Sequence, residues 1–125
     1  MISIQTQELM SIMKIYMMEY EIYEGNCPRY KVGEKFSSIQ DLGKKCDWLA
    51  ESATTMSKIL EYDGTLPWDY KGTKYEKIIN KDGVTTEFVR CPDPTSAGVV
   101  LKITRTQLTE EQIQELIKKK KEQKT

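Results

Sequence analysis

The chain has 125 residues, and its 19 basic and 19 acidic side chains leave no net charge to attract nucleic acid or an acidic partner. Histidine is absent, which excludes Ser-His-Asp and Cys-His catalysis and zinc sites that use imidazole. A hydrophobic content of 38% is typical of a single globular domain with one core.

The first predicted elements are an extension and a strand. Residues 1–15 fit either a strand or a helix, and the spacing of their apolar side chains favours a short helix that begins at Thr6. From Tyr16 to Glu24 apolar residues alternate with polar ones and place Tyr20 and Ile22 on one face, which predicts a half-buried strand.

A turn at Gly25 to Pro28 contains Cys27 and precedes a short strand predicted at 30–36, with a bend at Gly33. Lys31 in this strand is a candidate cationic contact for an anionic ligand. Lysine is also common as a solvated residue on edge strands, which is the simpler interpretation.

Apolar residues recur at steps of three and four between Asp41 and Tyr62, which predicts a central amphipathic helix over 44–62 that Gly64 stops at position C′. Cys46 falls in its first turn, where the helix dipole favours a thiolate. The alternative is that Cys46 packs as an inert residue on the apolar face.

Two tryptophans and a tyrosine form a candidate ligand-binding set. Trp48, Trp68 and Tyr70 could line a pocket, because aromatic rings combine an apolar wall with one hydrogen-bond donor. The alternative is that these large side chains close the core.

The sequence Lys81-Asp82-Gly83 predicts a hairpin turn between arms at 75–80 and 84–89. Two prolines in Cys91-Pro92-Asp93-Pro94 then end the second arm and leave Cys91 at the rim of a strand. The apolar run that follows predicts a well-covered central strand at 99–104.

The C-terminal segment, 106–125, predicts a basic helix. Thr109 and Gln112 form a capping box, with Leu108 and Ile113 as its hydrophobic staple. Lys118 to Lys121 are interpreted as a solvated helix end, because no aromatic residues are interleaved for contact with RNA.

Together these elements predict an α+β fold in which one domain spans 16–105. A small, mostly antiparallel sheet packs against one central amphipathic helix, and a capped helix follows. No apolar run approaches the length of a membrane span, and the N-terminus lacks the pattern of a signal peptide. We therefore expect a cytoplasmic protein whose thiols are reduced.

In four motifs the chain resembles a family of small bacterial and archaeal proteins for which no activity is established. The resemblance covers roughly residues 16–105 and includes, in order, Cys27-Pro28 with Lys31-Val32-Gly33-Glu34-Lys35-Phe36, Cys46 at a helix start, Leu66-Pro67-Trp68, and Cys91-Pro92-Asp93-Pro94. Many members have a Gly-His pair where this chain has Arg29-Tyr30. The resemblance implies that the cysteines share one site, and it implies no reaction.

Two functions follow as hypotheses, and whether the protein is an enzyme stays open. In the first, Cys27, Cys46 and Cys91 meet in a thiol site that binds zinc or an iron–sulfur cluster or performs redox chemistry, with Asp93 as an oxygen ligand or general base. The local spacing lacks a Cys-x-x-Cys metal signal.

The second hypothesis is a module that binds a small ligand or a protein partner through its aromatic residues, including as a homo-oligomer. Neither hypothesis requires a membrane. Nucleic acid is the least favoured partner.

Overall fold

The fold is α+β, as predicted, in a computed structural model that describes residues 15–95 and 98–123. The four strands of its sheet are all antiparallel, in the order β2-β1-β4-β3. The elements in chain order are β1 (Tyr16–Glu24), β2 (Lys35–Phe36), α1 (Ile39–Gly43), α2 (Asp47–Glu61), β3 (Val84–Arg90), β4 (Val100–Gln107) and α3 (Glu110–Gln123). The predicted helix that begins at Thr6 lies outside the described residues.

The core lies between one face of the sheet and α2. Alternation along β1 and β4 turns the same side of each strand inward, and α2 covers that side with its apolar stripe. The strand predicted over 16–24 is confirmed with these bounds. The buried core side chains include Tyr20, Ile22, Leu49, Ala53, Leu60, Leu101 and Ile103.

The predicted strand over 30–36 is wrong for most of its length, since only Lys35 and Phe36 pair with β1. The residues before them form a turn in which Glu34 N donates to Lys31 O at 3.0 Å. The predicted bend at Gly33 is confirmed, since Gly33 has a φ of +93° and its N–H donates to Ile22 O at 2.8 Å.

The predicted helix over 44–62 corresponds to α2, which begins three residues later, at Asp47, and a separate short helix, α1, precedes it. Ser38 caps α1 by accepting a hydrogen bond from Asp41 N at 3.1 Å, and α1 ends at Gly43. Cys46 is extended, with φ −161°, and is the N-cap of α2 rather than part of its first turn. The helical spacing continues across the break and therefore conceals it.

The end of α2 differs by one residue from the prediction that Gly64 is C′. Asp63 takes the left-handed conformation, with φ +68°, and its N–H donates to Leu60 O. Gly64 N donates to Ile59 O at 2.8 Å, which completes a Schellman motif with Gly64 at C″. A Cβ on Gly64 would lie 2.9 Å from Ile59 O, so glycine is needed for close approach.

Residues 75–80 do not form the predicted hairpin arm, although Lys81 and Val84 do pair in an isolated bridge. The segment instead lies along the open edge of β3, where Thr86 N donates to Ile78 O at 2.8 Å. Two threonine hydroxyls of β3 accept from backbone amides of the segment, Thr86 from Ile78 and Thr85 from Asn80. Threonine hydroxyls therefore replace some of the backbone hydrogen bonds of a regular ladder.

The last strand and helix close the fold. β4 extends to Gln107, beyond the predicted end at 104, because β1 and β3 both pair with its final residues. The capping box of α3 is confirmed, with Gln112 N donating to Thr109 Oγ1 at 3.2 Å and Thr109 N to Gln112 Oε1 at 2.9 Å. No helix in the described part of the chain is long and apolar enough to cross a membrane.

Arg105 is a buried cation that ties α2 to the sheet. Its guanidinium donates to Leu60 O and Gly64 O, both at 2.9 Å, and to Thr85 Oγ1 at 3.1 Å. The ring of Tyr16 lies 4.5 Å from its central carbon. Backbone carbonyls at the C-terminal end of α2 thus accept hydrogen bonds from an arginine of β4.

A second buried charge holds the segment at the edge of β3. Lys77 and Glu87 form an ion pair with side-chain exposures of 1% and 2%, and Lys77 Nζ also donates to Leu66 O at 3.2 Å. Burial raises the pKa of the Glu87 carboxyl, and the hydrogen bond from Lys77 opposes that rise.

Removing one member of this pair should leave an uncompensated buried charge. We expect Lys77→Met to lower the free energy of unfolding by about 3–5 kcal/mol, and Lys77→Met with Glu87→Leu to recover much of that loss. Urea denaturation measures both. Lys44→Met, which removes an exposed partner of Asp41, is the control and should change stability by less than about 0.5 kcal/mol. A double variant no more stable than the single would contradict the expectation.

Candidate thiol site

All three cysteines line one cleft of about 550 Å³. Each is a free thiol and is partly buried. β1 and β3 both run antiparallel to β4, so their C-terminal ends lie at the same end of the sheet. Cys27 follows β1 and Cys91 follows β3, and the topology therefore brings them to one side of the molecule.

A glycine brings the Cys27 turn against the start of β4. Gly25 has φ +111°, and a Cβ added there would lie 2.3 Å from Val99 Cα. No other amino acid allows the two backbones to approach so closely. Val99 O also accepts from Cys91 N at 2.9 Å, so Val99 joins the segments that carry Cys27 and Cys91.

Cys46 enters the cleft from α2. As the N-cap of a 15-residue helix it makes no side-chain capping hydrogen bond, whereas a Ser, Thr or Asp at this position ordinarily would. Asp47, Trp48 and Leu49, the first turn of α2, also line the cleft. The backbone amides at a helix start favour negative charge nearby.

Asp93 stabilises the loop that follows Cys91. Its Oδ1 accepts from Thr95 N at 2.8 Å and from Thr95 Oγ1 at 2.7 Å. These hydrogen bonds are the main reason that the pKa of the Asp93 carboxyl lies below its ordinary value, and Arg29 adds to the effect. An ionised, engaged carboxylate fits a turn-forming role better than that of general base.

Tyr30 lies among the three thiols. It is buried, and its hydroxyl donates to Leu42 O at 2.9 Å. Burial is the largest cause of a strongly raised pKa at this phenol, and negative charge on the nearby Cys46, Cys27 and Cys91 sulfurs adds to the rise in that order. The shared cleft and the common effect on the pKa of the Tyr30 hydroxyl both place the three cysteines near one another.

The arrangement of the three cysteines in the cleft is not that of a metal-binding site. Among residues 15–95 and 98–123, no three or more Cys, Asp or Glu side chains are arranged to hold one. Zinc needs thiolate sulfurs that share the ion at about 2.3 Å, and an iron–sulfur cluster needs thiolates placed around its iron atoms. The predicted metal site at Cys27, Cys46 and Cys91 thus has a common cleft and lacks preformed ligand geometry.

The other candidate ligand-binding residues lie in different places. Trp48 lines the thiol cleft and is 50% exposed, and Lys31 lines a neighbouring groove with Arg29 and Tyr30. Tyr70 lines a separate cavity on the sheet, and Trp68 is exposed. The structure therefore does not bring Trp48 and Tyr70 together.

Sequence reasoning missed Arg29, Tyr30 and Val99 as site residues. In the sequence, Arg29-Tyr30 stands out only as a departure from the family pattern. Gly25, one residue after a predicted strand, is the sequence feature that could have indicated a contact such as the one with Val99. A glycine in that position often marks a place where two backbones approach closely.

Comparisons of the chain with protein-family models, with curated proteins and with solved structures found no match.

Adding one methyl group at Gly25 should separate the cysteine-bearing segments. We expect Gly25→Ala to lower the free energy of unfolding by at least about 3 kcal/mol, since a strained backbone is combined with a clash against Val99. Gly72→Ala is the matched control, because Gly72 has φ +84° and open space around it, and it should cost roughly 1–2 kcal/mol. Equal losses in chemical denaturation would contradict the close-contact argument.

Removing the Tyr30 hydroxyl should leave Leu42 O with only the longer hydrogen bond from Lys45 N, at 3.3 Å. We expect Tyr30→Phe to lower the free energy of unfolding by about 0.5–1.5 kcal/mol. Tyr62, which is 83% exposed, provides the control Tyr62→Phe, which should have little effect. A Tyr30→Phe variant as stable as the parent in urea would show that this hydrogen bond does not support the cleft.

Proposed function

We propose that this protein carries out thiol–disulfide exchange in the cleft lined by Cys27, Cys46 and Cys91, with a small disulfide as substrate. The observation that supports it most directly is the common cleft, because 18 or more residues separate any two of these cysteines in the sequence. A cytoplasmic location, which we propose from the sequence, would supply a dithiol reductant that returns the protein disulfide to two thiols after each turnover.

Cys46 is the proposed nucleophile, since it is the cleft cysteine at the N-cap of α2 and its side chain makes no capping hydrogen bond. Its thiolate attacks one sulfur of the small disulfide, and the disulfide bond of that molecule breaks. One half leaves as a thiolate and takes up a proton. The other half stays bonded to Cys46 as a mixed disulfide.

A second cleft thiol completes the exchange. Cys27 or Cys91 loses its proton and attacks Cys46 Sγ, the mixed disulfide breaks, and the second half of the substrate leaves as a thiol. The protein gives up two electrons, and the small disulfide gains them as two thiols. The third cysteine stays reduced and can attack the new protein disulfide.

Binding contacts for the substrate come from the same cleft. The half-exposed Trp48 indole offers an apolar wall, and Arg29 offers a cation for carboxylates on the small molecule. These contacts join the ligand-binding hypothesis to the thiol hypothesis, because one cleft would serve both.

Mass spectrometry tests the proposal after reduced protein is mixed with oxidised glutathione in the presence of a chelator. We expect one intramolecular disulfide and one free thiol per chain, because a neighbouring thiol resolves the mixed disulfide. In Cys46→Ser this rapid oxidation should be lost, whereas Cys27→Ser or Cys91→Ser should trap glutathione on Cys46 if the removed cysteine is the resolving one.

The control is a chain in which all three cysteines are replaced by serine and Thr55→Cys supplies a lone thiol on the exposed side of α2. It should form only a slow mixed disulfide. If Cys27, Cys46 and Cys91 in the parent chain each react as slowly as that control and never pair, exchange in the cleft does not occur.

A further inference from the structure

A second cavity lies on the opposite face of the sheet from α2. Residues along β3 alternate between faces, so Val89 points to the core while Phe88 and Arg90 point away from it. The cavity measures about 200 Å³ and is lined by Tyr70, Tyr75, Phe88, Arg90 and Val100. None of these side chains lines the thiol cleft.

Aromatic rings form a fixed wall of this cavity. Tyr75 and Phe88 meet edge to face, with centroids 5.6 Å apart and planes at 70°. Tyr23 also packs on Phe88, at 4.9 Å and 62°, and lies 6.2 Å from Tyr75, so the three rings form one cluster. Edge-to-face packing holds such rings in place and leaves ring surface for a planar ligand.

Tyr70 is held over the cavity in a strained conformation. Its φ is +51°, which is uncommon for a residue other than glycine. Thr73 secures it, with the backbone N–H and the hydroxyl donating to Tyr70 O at 3.1 and 2.7 Å. The Lys77 ammonium lies 5.5 Å from the ring centroid. The ring nevertheless stays 50% exposed, so burial does not account for the strain.

The polar rim of the cavity carries an excess of positive charge. Glu24 pairs with Lys74 at 2.6 Å and accepts a hydrogen bond from the Tyr75 hydroxyl. These two hydrogen bonds, that of Lys74 first, keep the pKa of the Glu24 carboxyl below its ordinary value. Arg90 lies farther off, 3.9 Å from Glu24 Oε1 and 3.4 Å from Tyr75 Oη.

We propose that this cavity binds a small aromatic carboxylate with a single ring. The ring would lie between Tyr70, Tyr75 and Phe88, and its carboxylate would pair with Arg90, whose planar fork matches two oxygens. Cavities for drug-sized ligands measure about 300–1,000 Å³. A volume of about 200 Å³ therefore restricts the ligand to one ring. The site is independent of the proposed exchange chemistry.

The test is a titration of the full chain with benzoate and with phenylacetate, followed by amide chemical shifts in NMR spectra. We expect saturable shifts centred on Phe88 and Arg90 with at least one of the two. Benzamide, a neutral analogue of benzoate, and benzamidine, a cationic one, should bind at least about tenfold more weakly. The proposal fails if neither carboxylate gives saturable shifts there, or if benzamide binds as well as benzoate.

Three variants assign the contacts. Arg90→Gln should weaken carboxylate binding at least about tenfold and remove the preference over benzamide. Tyr70→Asn removes the ring, keeps a residue that tolerates positive φ, and should also weaken binding. Lys121→Gln removes one positive charge from α3 and should leave binding unchanged. Wild-type affinity in both Arg90→Gln and Tyr70→Asn, each shown to be folded by circular dichroism, would overturn the proposal.

Discussion

The contact between Gly25 and Val99 is the constraint on which the thiol site depends. Two strands that flank β4 end at the same side of the sheet, but that alone leaves their following loops free to diverge. A glycine without a Cβ lets the first loop lie directly on the backbone of Val99, and Val99 in turn binds Cys91 N. Tyr30 then fills the space between the loops and α1 through its bond to Leu42 O. The cleft is therefore a consequence of backbone packing rather than of attraction between thiols.

Buried charges organise the opposite end of the molecule. Arg105 reaches from β4 to the terminal carbonyls of α2, and Lys77 reaches beneath the edge of β3 to Glu87. Each side chain provides a hydrogen-bond or ion-pair partner for buried groups that would otherwise have none. Together they hold the long connection between α2 and β3 against the sheet, and that connection supplies Tyr70 and Tyr75 to the second cavity. Different interactions thus hold the two candidate sites in place: backbone packing at Val99 for the thiol cleft, and buried charges for the second cavity.

The parts of the fold that could be predicted are those specified by local patterns. β1 and the capping box of α3 depend on alternation and on two residues three apart, so the sequence alone identifies them. The break before Cys46 could not be predicted, because the apolar spacing continues across it, and neither could the short length of β2, because it depends on pairing with β1. Burial of Arg105 and Lys77 was equally hidden, since a charged side chain reveals its partner only in the folded chain. For the site, the positions of the cysteines at element boundaries favoured convergence, whereas Tyr30 and Val99 carried no chemical signal of their own.

The central claim is that three thiols distant in sequence share one cleft beside Tyr30. Intramolecular cross-linking of the native, reduced protein at high dilution with a short bismaleimide tests it most directly, because the reagent joins only thiols that lie close together. Each single Cys→Ser variant leaves one pair, and peptide mapping by mass spectrometry identifies the link. The account predicts efficient cross-links for Cys27 with Cys46, Cys27 with Cys91, and Cys46 with Cys91, with all three lost in denaturant. Native chains that carry only separate, singly attached reagents would contradict it.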